Sequence, residues 1–251
     1  MSSGLGTPAS RSGRTSPEAP AHPGYWRFYD AVAEAQVREW LPTETGVVLD
    51  LSGADARYAG IAAAAGHTVV HLAELPDCTL LDKGLQVVAD AFDLAWLRDE
   101  SVDAILAENG ALSEHLAAEN TFAQLHRVLK PGGRLFLCVE SLVLGLARLA
   151  EQRRWAELAD VPSADVVLVQ NEDGSISRCF WPEELESVLG DFGYDVEWVR
   201  PRSVLSQEAV SRALEQNAGS FDTLVQTELK LAKERQGEST GIHLVAAARR
   251  R

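Results

Sequence analysis

The hydrophobic pattern of this chain alternates short apolar runs with longer stretches in which apolar residues recur at three- and four-residue steps. Short apolar runs bounded by turn residues are typical of buried strands, and the wider spacing is typical of amphipathic helices. The predicted strands span residues 47–49, 69–72, 86–89, 102–107, 134–139, 194–199 and 242–247. Helices are predicted between them at 57–65, 112–129 and 182–191, with a helical turn at 92–99. This alternation predicts an α/β fold with a doubly wound, mostly parallel sheet.

The stretch VVLDLSGADARYAGIAAAAGHTVVHLAE, residues 47–74, contains the most informative turn of the chain. An apolar run ends in Asp50, small residues follow at 52–56, and an alanine-rich helix leads through Gly66 into a second apolar run. Such a βαβ unit brings the turn and the helix N-terminus to the carboxyl edge of the sheet. Backbone N–H groups and the helix dipole favour polar or anionic ligand groups there. We therefore expect the functional site at this turn.

Two segments interrupt the alternation, and we predict that they form a cap over this edge. The first, about 142–180, contains a predicted helix at 142–158 and a predicted hairpin with strands 166–170 and 175–180 around Asn-Glu-Asp-Gly. The second, about 206–240, is charged and predicts two helices broken near 217–220. The helices of Ser206–Gln236 could instead pair across a homodimer or bind a protein partner.

The N-terminal part of the chain divides into a tail and an aromatic helix. Residues 1–23 consist mainly of Ser, Gly, Pro and Ala and predict a disordered tail, which leaves 24–251 as a single domain. Residues 25–41 predict a helix that ends at Pro42, with an aromatic cluster of Tyr25, Trp26, Phe28 and Tyr29. Two interpretations of the cluster stay open: packing of the helix on the core, or a lid over the sheet edge.

Composition narrows the function further. The 251 residues carry a formal net charge of −14, which argues against nucleic acid and anionic membranes as partners because both require clustered basic residues. No apolar run reaches the roughly 18 residues that a membrane span needs. The three cysteines, Cys78, Cys138 and Cys179, match neither a metal-site spacing nor a disulfide framework, so we expect no metal and a cytoplasmic location.

The segment FAQLHRVLKPGGRLFLCVE, residues 122–140, resembles the class I S-adenosylmethionine-dependent methyltransferases. In that family a helix leads through L-x-R-V-L-K-P-G-G-x-L into the fifth strand, and this chain keeps nearly the whole motif from Leu125 to Leu135. The likeness covers about 25–248. It implies a Rossmann-like sheet of seven strands with the last strand antiparallel, and it implies S-adenosylmethionine as the cofactor.

The family's first strand runs into D-x-G-x-G-x-G, and this chain departs from that pattern. Asp50 keeps the acid, but the three glycine positions carry Ser52, Ala54 and Ala56, and Gly53 lies between them. By the resemblance, Asp50 to Ala54 would line the methionine part of the cofactor. Each side chain added at a glycine position is expected to narrow the turn.

Other cofactor contacts follow the later strands. The acid that holds the ribose hydroxyls in the family falls on Ala73, with Glu74 one residue later and able to substitute only if the chain turns there. Asp90 and Ala91 resemble the pair that meets the adenine amine, although Asp90 could equally cap the following turn. Glu108 and Asn109, after the fourth strand, would border the cofactor.

No clear set of acid, base and nucleophile stands out in the sequence, and His115 is the one candidate base that the resemblance suggests. Methyl transfer from a sulfonium depends more on positioning and desolvation than on proton transfer. Our leading hypothesis is methyl transfer to a small-molecule acceptor. The alternative is a non-catalytic member of the fold that has a weakened or lost cofactor site and acts by binding a partner.

Overall fold

The computed structural model describes residues 22–53, 56–73, 84–89, 93–114, 118–164, 166–171 and 173–251. The helices are α1 (Pro23–Trp40), α2 (Arg57–Ala64), α3 (Ala118–Val128), α4 (Leu142–Glu151), α5 (Trp155–Asp160), α6 (Pro182–Asp191), α7 (Gln207–Gln216) and α8 (Phe221–Glu234). The strands are β1 (Val47–Asp50), β2 (Thr68–Ala73), β3 (Gly84–Val88), β4 (Val102–Ala107), β5 (Leu129–Ser141), β6 (Val167–Gln170), β7 (Ile176–Phe180), β8 (Tyr194–Arg202) and β9 (His243–Arg250).

Seven of these strands form the predicted doubly wound sheet. Their order is β3-β2-β1-β4-β5-β9-β8, and β9 runs antiparallel to both of its neighbours. The predicted hairpin is β6–β7, and β7 extends the sheet by pairing in parallel with the last two residues of β5. The prediction of a mostly parallel seven-stranded sheet with an antiparallel final strand is confirmed.

Helices cover both faces of the sheet because its strands are apolar on both sides. One face packs against α3 and α6 through Phe122, Leu125, Leu185 and Leu189. The opposite face carries Val48, Val69, Leu106, Phe136, Cys138, Val245 and Ala247 and packs against α1 and α2. A parallel sheet covered in this way places its loops, and hence any ligand site, at the carboxyl ends of the strands.

The Lys-Pro-Gly-Gly motif lies in the first residues of β5, where the pairing of β5 with β4 shifts register. Gly132 has a φ of +73°, which a glycine adopts without strain. Lys130 Nζ lies 2.7 Å from Asp103 Oδ1, and the other oxygen of Asp103 accepts a hydrogen bond from Val47 N. The motif therefore fixes the entry edge of β1, β4 and β5, which is opposite to the expected site.

The aromatic cluster of α1 is buried. Tyr25, Trp26, Phe28 and Tyr29 pack with Val210 of α7 and Val225 of α8. These four side chains therefore pack in a hydrophobic core, as one of the two interpretations proposed. Their partners are α7 and α8, the charged helices that the sequence predicted to form part of the cap. Through this contact α1 fixes α7 and α8 to the domain.

The structure differs from the predicted elements in three places. The predicted helix 142–158 is two helices, α4 and α5, separated at Arg153, whose φ is +59°. The predicted helix 112–129 is a 3-10 turn, Ala111–Ser113, followed by α3, with residues 115–117 outside the described part. The predicted helical turn at 92–99 is shorter: within 93–99 one turn is closed by a hydrogen bond of 2.9 Å from Leu97 N to Leu94 O, and residue 92 lies outside the described part. Neither a glycine nor a proline marks the break at Arg153, so the sequence carried no signal for it.

Candidate active site

Buried polar side chains line the carboxyl edge of the sheet on the side of α1 and α2. Asp50 and His71 stand on β1 and β2, Glu108 follows β4, and Arg202 ends β8. Asp50, His71 and Glu108 each lie two residues beyond an apolar residue that packs under α1 or α2, and side chains two apart on a strand share a face. All four are at most 1% exposed.

Asp50 holds the turn that follows β1. Its carboxylate accepts hydrogen bonds from the backbone N–H of Ser52 at 3.1 Å and from the Ser52 hydroxyl at 2.6 Å. Its second oxygen lies 2.9 Å from Nδ1 of His71 on the neighbouring strand. These contacts satisfy a carboxylate that is fully buried, as a buried charge requires. Asp50 therefore fixes the conformation of the turn through its hydrogen bonds to Ser52.

Ser52 does not narrow the turn in the way that the sequence led us to expect. Its side chain is 2% exposed and points into the protein, where its hydroxyl also accepts a hydrogen bond of 3.0 Å from the backbone N–H of Glu108. The next residue, Gly53, has a φ of +84°, and a Cβ built on it would meet no atom of the described residues within 4 Å. The glycine thus occupies the one described position of the turn with a positive φ, and no described residue fills the space beside it.

The carboxylate of Glu108 is paired with an arginine from β8, the strand at one end of the seven-stranded sheet. Arg202 donates two parallel hydrogen bonds to its carboxylate, of 2.7 and 2.8 Å, and both side chains are 0% exposed. Nε of Arg202 donates a further hydrogen bond of 2.7 Å to Gln36 of α1. Burial acts to lower the pKa of Arg202, but the adjacent Glu108 carboxylate outweighs it and the pKa is raised well above its usual value. The carboxylate of Glu108 is thus committed to Arg202.

Asn109 completes the link between the loops after β1 and β4. Its φ is +61°, a conformation that asparagine tolerates better than most residues. Its side-chain amide donates a hydrogen bond of 2.9 Å to the backbone oxygen of Ser52. Together with the bond from Glu108 N to the Ser52 hydroxyl, this fixes the two loops side by side. A ligand beside Gly53 would meet a preorganised surface.

Three further buried groups near this edge are neutral near pH 7. Burial, together with Arg202 and Arg148, lowers the pKa of His243 to about 3, so this histidine takes up a proton only with difficulty. Burial raises the pKa of Cys138 to about 12 and raises the pKa of Tyr29 well above its usual range, so both side chains retain their protons.

The predicted site residues fall into two groups. Asp50, Ser52, Gly53 and Glu108 are brought together at one sheet edge, as the βαβ argument required. The remaining candidates lie outside the described residues, and they are Ala54, Glu74, Asp90, Ala91 and His115.

Sequence reasoning missed His71 and Arg202 as site residues. His71 interrupts the apolar run of β2, and a polar residue inside a strand that the pattern predicts to be buried is the signal that could have found it. Arg202 lies three residues beyond the predicted strand 194–199, so the apolar pattern carried no such signal for it. Asn109 was expected, together with Glu108, to border the cofactor after the fourth strand.

Two classes of site are absent from the part of the chain that the structure describes. There, no three His, Cys, Asp or Glu side chains come together in a way that could hold a metal ion. Among the helices within the same ranges, none combines the length and the apolar character needed to cross a membrane.

The comparisons with known proteins agree with this geometry. Residues 47–137 match the family model described as a methyltransferase domain. No curated protein matches the sequence. Among solved structures, 1,6-didemethyltoxoflavin-N1-methyltransferase of Burkholderia thailandensis, with 1,6-didemethyltoxoflavin and S-adenosylhomocysteine bound, is 17% identical, with a TM-score of 0.55 over 90% of this chain and 80% of that chain.

Two further structures show the same fold at similar identity. An S-adenosylmethionine-dependent methyltransferase of Mesorhizobium loti is 16% identical, with a TM-score of 0.54 over 88% of this chain and 100% of that chain. A SAM-dependent methyltransferase of Methanosarcina mazei is 17% identical, with a TM-score of 0.53 over 86% of this chain and 96% of that chain. At these identities the structural likeness establishes the fold, and the family model locates the matching segment on β1 to β5.

Proposed function

This chain contains a class I S-adenosylmethionine-dependent methyltransferase domain, and from that premise we propose that it transfers a methyl group from S-adenosylmethionine to a small-molecule acceptor. The observation that carries the proposal is the turn after β1. The family needs a backbone there that a ligand can approach closely, and Gly53 supports this, with a φ of +84° and no atom of the described residues within 4 Å of where a Cβ would be. Ser52, which replaces a family glycine, is turned away from that space.

The residues that would hold the cofactor follow the strand order. In this proposal the backbone around Gly53 and Ala54 receives the methionine part, with Asp50 and Ser52 fixing the turn from below. Glu74 would bind the ribose hydroxyls, and Asp90 and Ala91 would meet the adenine. We assign Glu108 a supporting role, because its carboxylate binds Arg202 and its backbone N–H binds Ser52.

Methyl transfer from S-adenosylmethionine needs little acid–base catalysis. When bound, S-adenosylmethionine supplies a sulfonium methyl group whose leaving group departs neutral, so the chain has to orient the acceptor and exclude water. The buried edge suits this task, since its ionised groups are already paired and His243 is held neutral. His115 is the candidate base for acceptors that must lose a proton.

Two observations support a small molecule as the acceptor. The net charge of −14 disfavours a polyanionic substrate. The segments α7, α8 and the β6–β7 hairpin lie outside the seven-stranded core, and α7 and α8 pack on α1 beside the carboxyl edge. Such additions can enclose an acceptor. The structurally similar 1,6-didemethyltoxoflavin-N1-methyltransferase of Burkholderia thailandensis has 1,6-didemethyltoxoflavin bound in its own structure.

The proposal is tested by titration calorimetry of the purified chain with S-adenosylmethionine and with S-adenosylhomocysteine. We expect binding in the micromolar range, about −8 kcal/mol. A panel of small nucleophiles, with tritiated methyl donor, would then identify the acceptor class. No heat with either compound from folded protein would contradict the proposal.

That negative result would favour the second candidate, a non-catalytic member that acts by binding a partner. The specific observation behind it is Ala73, which ends β2 where the family places the ribose-binding acid. Binding of S-adenosylhomocysteine with no turnover of any acceptor would point to a ligand-sensing role for the same site.

A further inference from the structure

A continuous hydrogen-bonded chain crosses the buried edge of the sheet from β8 to β2. Arg202 donates to the carboxylate of Glu108, the backbone N–H of Glu108 donates to the Ser52 hydroxyl, and that hydroxyl donates to Asp50, which contacts His71. Every link is between 2.6 and 3.0 Å in its shortest contact. The chain therefore connects an arginine on the outermost strand to the turn that carries Gly53.

Among the described residues, Arg202 is the one positively charged side chain that forms an ion pair with Glu108, and the pair is fully buried. A bidentate Arg–carboxylate pair fixes both position and orientation. Glu108 is thereby fixed through its side chain, while its backbone N–H and the Asn109 amide hold Ser52. Movement of Glu108 would be transmitted to Ser52 and to the neighbouring Gly53.

We infer that Arg202 is a positioning residue for cofactor binding, acting through Glu108 and Ser52 without touching the ligand. This inference rests on the proposed function, because it takes the turn at Gly53 to be the cofactor site. Removing the Arg202–Glu108 pair should therefore lower cofactor affinity. The decrease should be larger than the one caused by removing a comparable buried ion pair elsewhere.

The chain offers such a comparable pair. Arg148 of α4 contacts Glu140 of β5 with distances of 2.5 and 3.2 Å, and their side chains are 8% and 2% exposed. This pair is also a buried Arg–Glu pair on the same face of the sheet. Within the described ranges, no hydrogen bond joins this pair to Ser52 or Gly53. It thus serves as a matched control for the general cost of disrupting a buried charge pair.

The experiment measures S-adenosylhomocysteine affinity and unfolding stability in parallel. Arg202→Met and Glu108→Gln are made singly and together, and Arg148→Met and Glu140→Gln likewise. Each single change leaves a buried charge or amide without its partner, whereas each double variant removes both charges and should recover part of the lost stability. Arg202→Lys is added because lysine keeps the charge but cannot form the two-pronged contact.

We expect the Arg202→Met/Glu108→Gln double variant to bind S-adenosylhomocysteine about tenfold more weakly than the unmodified chain, a change of about 1.4 kcal/mol. The matched double variant at 148 and 140 should stay within about twofold of the unmodified affinity, or about 0.4 kcal/mol. Arg202→Lys should bind with an affinity between those of the unmodified chain and Arg202→Met.

Equal affinities for the two double variants would overturn the inference while leaving the proposed function intact. Failure of the unmodified chain to bind S-adenosylhomocysteine would overturn the proposed function and this inference together. If a single variant fails to fold, the double variants and Arg202→Lys still decide the outcome, because they leave no buried charge unpaired or retain the charge.

Discussion

The hydroxyl of Ser52 donates a hydrogen bond of 2.6 Å to the carboxylate of Asp50, and both residues are at most 2% exposed. The same hydroxyl accepts the backbone N–H of Glu108. Serine at this position therefore supplies two hydrogen bonds that glycine, the family's residue, cannot supply.

Replacing Ser52 by alanine should destabilise the fold. Ser52→Ala leaves the Glu108 N–H without its partner and removes one donor from Asp50, so we expect a loss of about 2 kcal/mol in the free energy of unfolding. Urea unfolding measures it. Ser163→Ala is the control, because the Ser163 hydroxyl makes a single exposed bond to a backbone oxygen; its effect should stay below about 0.5 kcal/mol. Equal losses in the two variants would show that the buried bonds contribute no more than an exposed one.

Alanine substitutions at Gly53 and Gly237 distinguish the effect of backbone strain on stability from the effect of a side chain on ligand binding. The φ values of the two glycines are +84° and +78°, and at either position a Cβ would meet no atom of the described part of the chain within 4 Å. Alanine at either position should cost about 1–2 kcal/mol of stability, because the left-handed conformation strains any residue that has a Cβ. Gly53→Ala should also lower S-adenosylhomocysteine affinity by about tenfold, measured by calorimetry, whereas Gly237→Ala should not. Unchanged affinity in Gly53→Ala would place the cofactor elsewhere.

Elements whose sequence signal is local were predicted correctly, and features without a local signal were not. Helix α6 was predicted with its observed bounds, Pro182–Asp191, because the signal, proline in the first turn, is local. The strands were found because apolar runs report burial directly. The break at Arg153 was missed because residues 152–154 contain neither glycine nor proline.

The candidate site was predicted less completely than the fold. Asp50, Ser52 and Gly53 are neighbours in sequence, and the turn that they form was recognised from its small residues. The partner of Glu108 is Arg202, 94 residues away, and only the tertiary fold brings β4 and β8 to the same edge. The sequence also could not show that Ser52 points inward, because the direction of its side chain depends on its contacts with Asp50 and Glu108.

His243 should make the stability of the fold dependent on pH. The folded protein holds its pKa near 3, through burial and through Arg202 and Arg148, against 6.5 for an ordinary histidine. Below pH 6.5 the unfolded chain therefore binds a proton that the folded chain does not, and the free energy of unfolding falls as the pH is lowered towards 3.

Comparison with His243→Gln isolates this contribution from that of the carboxylates. Between pH 6.5 and 5 the unmodified chain should lose about 2 kcal/mol more than His243→Gln, which cannot take up the proton. Urea unfolding at a series of pH values measures the difference. Parallel stability curves for the two proteins would mean that His243 is protonated in the folded state and that the burial argument is wrong.

The side chain of Glu228 fixes the segment that connects β8 to α7. Its carboxylate, on α8, accepts hydrogen bonds from the backbone N–H groups of Val204 at 2.8 Å and Leu205 at 2.9 Å. These residues follow Ser203, whose φ is +64°, so the chain turns sharply there on leaving Arg202. A buried carboxylate that accepts two backbone donors should hold the turn in place.

Glu228→Ala should release this turn without unfolding the sheet. We expect faster amide hydrogen exchange at Val204 and Leu205 and a loss of about 2 kcal/mol in stability, since hydrogen bonds to a charged group are stronger than neutral ones. Glu215→Ala, an exposed change on α7, is the control and should leave exchange at both amides unaltered. Slow exchange at Val204 and Leu205 in Glu228→Ala would mean that the packing of α7 and α8 against α1, rather than Glu228, holds the cap.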